Sequence, residues 1–280
     1  MDIRYGLNPK EINSCTKEQI KEELTFKNFF SKDCIKYIYT HVDRALIGGA
    51  LPMAKDVCFD DFIDSQADLG AEFPLEFREA ACINIGGDGY VIVDNVRYEI
   101  GNTTAIYIGK GSRKMTFGSV SESNPAKFYF YSVPAHKKYV TKVITKEDAV
   151  KVELGSNLEC NERIIHQFIQ PDVADSCQVM LGYTQLQEGS VWNSMPTHTH
   201  ERRTETYMYF NMKKDDRVIH LMGEAENTKH ILVENEEIVI SPSWSIHTGV
   251  GSGSYGFIWA MAGENRILSD AKSFKISDLQ

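Results

Sequence analysis

Met195-Pro196-Thr197-His198-Thr199-His200-Glu201-Arg202-Arg203-Thr204-Glu205 is the stretch on which the reading of this chain turns. His198 and His200 stand two apart. On a strand alternate side chains share a face, so the two imidazoles converge. After a short turn Glu205 opens the next strand, and a hairpin would return it beside the pair. His247 lies far downstream, behind the turn signal Ser241-Pro242-Ser243. Three imidazoles and one carboxylate make a borderline-soft ligand set suited to Zn²⁺, Fe²⁺, Mn²⁺ or Ni²⁺. His41, His136, His166, His220 and His230 have no such company and read as surface or core residues.

Around this stretch the chain is patterned in short strands. Candidates are Gln178–Gln187, Glu205–Phe210, Val218–Met222, His230–Val233, Glu237–Ile240 and Tyr255–Met261. An earlier region is similar. Ile83-Asn84-Ile85, Tyr90–Val93, Val96–Ile100, Ala105–Ile108 and Lys127–Ser132 are separated by Gly, Asn and Asp turns. Many short strands with such punctuation predict an all-β sandwich or barrel. The two regions read as a repeat. Ile106-Tyr107-Ile108-Gly109 leads after five residues to Lys114, and Val239-Ile240-Ser241-Pro242 leads after five to His247. Only the second copy has a histidine there. The first 35 residues read as mostly helical, with a capping box at Thr16-Lys17-Glu18-Gln19 and Ile20 and Leu24 on one face. Thr145–Asp148 is read as the cap of a short linking helix, and a boundary is expected there. The expected division is 1–150, an N-terminal helix plus metal-free barrel, and 151–280, the metal-binding barrel.

Composition narrows the function. The 280 residues carry a net charge of −9, which argues against a nucleic-acid partner or docking on anionic lipid. Met1–Gly6 is not followed by an apolar signal core, so the cysteines are expected to be reduced thiols in a cytoplasm. Ile238–Gly263 contains no Asp, Glu, Lys or Arg, but its Ser, Gly and Pro content speaks against a membrane span.

His198-x-His200-x₄-Glu205 followed by Pro242-x₄-His247 resembles the paired metal motifs of the cupin superfamily. Met212 and Trp244 stand where that pattern usually carries glycine. These departures suit one family. Ser190–Pro196 leading into Thr197–Arg203, then Tyr207–Phe210, Ile240–Gly251 and Gly263-Glu264-Asn265, resembles the 4-deoxy-L-threo-5-hexosulose-uronate ketol-isomerase (5-keto-4-deoxyuronate isomerase) family. So do His41–Arg44, Gly48-Gly49, Ile83–Tyr90 and Asn124–His136 in the first half. The resemblance implies a mainly β fold of two cupin-type (jelly-roll) barrels with a few peripheral short helices. It also implies one Zn²⁺ per subunit on His198, His200, Glu205 and His247, a homohexamer, and a cytoplasmic step of pectin or hexuronate degradation.

The implied reaction moves a carbonyl from C1 to C2 of an anionic, acyclic sugar acid. The metal would stabilise the developing charge, and a base would carry a proton from C2 to C1. Glu205 and Tyr207 are the expected catalytic residues. Tyr209, which shares their parity, is an expected substrate contact beside Arg202 and Trp244. Two competing expectations are an Fe(II) dioxygenase on the same ligands and a non-catalytic bicupin that binds a sugar or a protein partner.

Overall fold

The computed structural model describes residues 1–280. The chain divides into two compact units. Residues 1–4, 28–149 and 168–180 form the first, and residues 5–27, 150–167 and 181–280 the second. Both are mainly β and jelly-roll-like, as the strand patterning requires.

In the first unit a seven-stranded sheet runs in the order Asp2–Arg4, Cys34–Thr40, Ala45–Leu51, Phe128–Pro134, Arg78–Asn84, Ala105–Ile108, Lys142–Ile144. A four-stranded sheet runs Val57–Cys58, Met115–Ser119, Gly89–Val93, Val96–Ile100. Side chains from both sheets meet in one apolar core that includes Leu46, Cys82, Phe117, Phe128 and Phe130. Burial of these faces is the main stabilising term of such a unit.

The second unit repeats the layout. Its seven strands run Val150–Leu154, Arg163–Ile169, Met180–Leu186, Gly256–Gly263, Arg203–Phe210, Glu237–Ser241, Thr25–Phe26. The smaller sheet runs Trp192–Asn193, Thr248–Gly251, Val218–Glu224, Asn227–Val233. A two-residue ribbon pairs His198–Thr199 with Lys272–Ser273. The internal repeat holds at the level of register. Glu205 is the third residue of its strand and lies opposite Ser241 and Met261. Ala80 is the third residue of Arg78–Asn84 and lies opposite Ile108 and Ser132.

The Thr16 capping box forms at helix Lys17–Leu24, whose Ile20 and Leu24 are buried. The rest of the N-terminus is less helical than its sequence suggests. Asp2–Arg4 and Thr25–Phe26 are strands, because each finds a neighbouring edge to pair with. Thr145–Asp148 caps no helix. The Asp148 carboxylate accepts from the Thr145 amide and hydroxyl at 2.9 and 2.8 Å, and this local turn leads straight into strand Val150–Leu154. The charge-free run becomes strand, turn and two further strands, all largely buried. No helix is long and apolar enough to cross a membrane. All six cysteines are free.

Candidate metal centre

The strand Arg203–Phe210 is the floor of the site. Its odd-numbered residues Arg203, Glu205, Tyr207 and Tyr209 share one face by the two-residue repeat. The ribbon at His198–Thr199 lays His198 and His200 over Glu205. The turn after Glu237–Ser241 delivers His247. The ring centroids of His198, His200 and His247 lie 4.7–5.6 Å apart. One ligand atom from each of these four residues falls within 4.8 Å of all the others. Glu205 Oε2 is 2.7 Å from His247 Nε2 and 3.4 Å from His200 Nε2. His200, Glu205 and His247 are buried, and their three converging atoms make no hydrogen bond.

Buried polar atoms are normally satisfied, so an orphaned cluster of this composition fits a divalent cation at its centre. The opposite ring atoms are tied down. His198 Nδ1 lies 2.9 Å from the Pro196 carbonyl, His200 Nδ1 2.8 Å from Asp270 Oδ1, and His247 Nδ1 3.4 Å from the Ser245 carbonyl. An N–H donated on that side leaves each Nε2 lone pair facing inward, the tautomer a metal requires.

The electrostatics agree. Burial alone would raise the Glu205 carboxyl, but His247 and His200 outweigh it and hold the group well below the carboxylate range. Burial, with His247 nearby, pushes His198 down to about 4, so its imidazole stands neutral at pH 7.

The cluster opens into a cavity of about 280 Å³. Tyr207 lines it, with its hydroxyl 2.6 Å from Ser194 Oγ. Apolar walls come from Ile165, Phe257, Trp259 and Leu268. Three expected substrate contacts lie elsewhere. Arg202 is exposed on the turn, 4.0 Å from Glu264. Tyr209 shares the parity of Tyr207 but sits deeper, with its hydroxyl 2.8 Å from His220 Nδ1. Trp244 is half-buried in the turn before His247. None of the three borders the cavity.

Two residues enter that sequence reading did not single out. Asp270, from the C-terminal segment, accepts from His200 Nδ1, Arg203 and Asn265 Nδ2. Arg163 lines the cavity from strand Arg163–Ile169.

A family model described as the KduI/IolB family matches residues 61–276. A 4-deoxy-L-threo-5-hexosulose-uronate ketol-isomerase of Caldicellulosiruptor bescii is 46% identical over the full length of both chains. The protein of the same name from Pectobacterium carotovorum subsp. carotovorum is 42% identical, again over both full lengths. Among solved structures, an IolB-like protein from Salmonella typhimurium LT2 superposes with a TM-score of 0.71 at 14% identity, covering 90% of this chain and 96% of that one. The oxalate decarboxylase of Lactobacillus farciminis gives 0.52 at 9% identity, over 71% and 74%. These two share the fold and carry no inference about chemistry. The full-length relatives are named for one intramolecular isomerisation, so the chain is an enzyme of the isomerase class. It belongs to the KduI/IolB family.

Proposed function

We propose that the chain is a zinc-dependent aldose–ketose isomerase acting on 5-keto-4-deoxyuronate (4-deoxy-L-threo-5-hexosulose uronate) and yielding 3-deoxy-D-glycero-2,5-hexodiulosonate. The carrying observation is the four-residue cluster, with three unbonded buried ligand atoms, at the end of a cavity sized for a small molecule. The reaction breaks one C–H bond at C2 and forms one at C1. The carbonyl moves the other way, so no oxidant or water is consumed.

Zn²⁺ suits the donor set, and a divalent ion there supplies Lewis-acid stabilisation of charge developing on substrate oxygens. The protein supplies the rest. Glu205 is the one carboxylate on the cavity wall, and it is assigned the proton transfer between C2 and C1. The Tyr207 hydroxyl, bonded to Ser194, donates to a substrate oxygen and relays its proton. The apolar wall of Phe257 and Trp259 keeps water from the reacting carbons. The sequence resemblance adds a cytoplasmic homohexamer working in pectin or hexuronate breakdown to this proposal.

The test is incubation of metal-replete protein with 5-keto-4-deoxyuronate, followed by NMR, with oxygen uptake and metal content read on the same sample. Conversion without oxygen uptake is expected, and His200→Ala should lose both metal and turnover. Absence of conversion by zinc-loaded protein would overturn the assignment.

A further inference from the structure

Building on the isomerase reading, the geometry points to Arg163 as the residue that binds the substrate carboxylate and makes the site specific for a sugar acid. Arg163 opens a strand on which Arg163, Ile165 and Gln167 alternate onto one face, and all three border the cavity that holds the ligand cluster. It is the single Lys or Arg among the lining residues. The residue is 5% exposed.

Two carbonyls hold its side chain in place. Nη1 donates to Asn161 O and Nη2 to Met195 O, each at 2.8 Å. A guanidinium has five N–H donors, so three remain. No Asp or Glu pairs with it. Burying a cation without its anion is costly, and proteins rarely retain one unless something arrives to compensate. The cost shows in the guanidinium itself, which burial shifts below its ordinary value.

Position fits the role. The Met195 carbonyl gripped by Arg163 is followed in the chain by the Pro196 carbonyl, which is bonded to His198 Nδ1. The guanidinium and a metal-ligating imidazole are therefore fastened to adjacent carbonyls of one segment and face the same cavity. A chain molecule with its reacting carbons at the ligand cluster can place a terminal carboxylate on Arg163. The planar fork suits a carboxylate bidentately, and the apolar walls strengthen the pair by excluding water. Arg202, exposed and beside Glu264, has neither the burial nor the access.

The test compares wild type, Arg163→Met and Arg163→Lys on the uronate and on its neutral analogue, in which the carboxylate is replaced by a primary alcohol. Circular dichroism and metal content check integrity. Arg163→Met should raise KM for the uronate roughly 30-fold or more, as expected for truncating one partner of a buried charge pair. It should leave KM for the neutral analogue within about threefold. Arg163→Lys should recover part of the loss, and it serves alone if the Met variant does not fold. An unchanged KM for the uronate, or an equal loss on both substrates, would overturn the assignment. Calorimetric binding of the uronate to wild type and variant separates the two readings. If wild type binds the uronate Arg163-dependently but does not turn it over, the isomerase reading falls and the Arg163 assignment stands. Binding that does not depend on Arg163, or no binding to wild type at all, overturns the assignment.

Discussion

Removing the Asp270 carboxylate tests whether the metal centre depends on a residue outside its ligand set. Asp270 accepts from His200 Nδ1 at 2.8 Å, Arg203 Nε at 3.3 Å and Asn265 Nδ2 at 3.0 Å, and from Arg203 Nη2 as well. Asp270→Ala acts in two ways. First, the His200 ring loses the partner that keeps its proton on Nδ1 and its Nε2 aimed at the centre. Such outer partners are worth about 10–100-fold in metal affinity, or about 1.4–2.7 kcal/mol. Second, the fully buried Arg203 guanidinium loses this carboxylate. Breaking a wholly buried pair costs about 3–5 kcal/mol. The Asp270 side chain retains 22% exposure, so water screens part of the pair and about 1–3 kcal/mol is the reasonable expectation for the apo fold. Zinc affinity is measured by competition with a chromophoric chelator, and apo stability by urea unfolding. Asp270→Asn keeps an oxygen acceptor for His200 and loses the charge, so its affinity should fall by about tenfold or less. Zinc affinity of Asp270→Ala within threefold of wild type would refute the reasoning.

Two further outcomes are expected. A Cβ added at Gly182 would lie 1.9 Å from Trp259 Cζ2, so Gly182→Ala should cost about 1–3 kcal/mol and displace the indole from the cavity wall; an unchanged urea midpoint and tryptophan emission would contradict this. Burial pushes Tyr183 up to about 12 from an ordinary value of 10.0. Below pH 10 both states keep the proton. Between pH 10 and 12 only the unfolded chain loses it, so stability falls as pH rises, by up to about 2.7 kcal/mol. Other buried tyrosines, Tyr37 among them, add to the same alkaline slope, so Tyr183→Phe should make it shallower by this one share in urea unfolding, and an identical slope would count against it.

What the sequence disclosed and what it withheld have a common physical reason. His198, His200 and Glu205 sit within one short stretch, and strand parity converts their spacing directly into convergence. His247 is remote, but the turn chemistry of Ser241-Pro242-Ser243 announces the reversal that brings it in. Arg163 and Asp270 have no such local mark. Asp270 reaches His200 only because Lys272–Ser273 pairs with His198–Thr199, a contact that depends on tertiary closure. Arg163 becomes a cavity residue only once its strand takes its place in the sheet. Parity also overreached at Tyr209. It fixes which face a side chain takes, not how deep along the strand the cavity runs. Strand Ala45–Leu51 is not among the strands read from the sequence. A Cβ at its Gly48 would lie 2.0 Å from the Lys36 carbonyl, so glycine there admits the neighbouring strand.

The two units fill corresponding places of one scaffold with different side chains. The strands Arg78–Asn84 and Arg203–Phe210 both open on a buried arginine and occupy equivalent places in their sheets. At the third residue the first has Ala80 and the second Glu205. Six residues beyond the neighbouring strand, the first has Lys114, exposed, and the second His247, buried. The space freed by Ala80 is taken up by the apolar core, with Phe117, Phe128 and Phe130 packed in it. That solution is cheap, because carbon surface needs no partners. The second unit fills the corresponding region with groups that do need them. Tyr209 is bonded to His220, Asn193 to Tyr255, and Tyr207 to Ser194, all from buried or nearly buried positions. Each such group carries a desolvation cost that its hydrogen bond only offsets. The ligand cluster goes further, because three of its inward atoms face one another and make no hydrogen bond. Apolar packing is the less demanding of the two arrangements, and the second fits a site whose inward atoms a bound cation would complete.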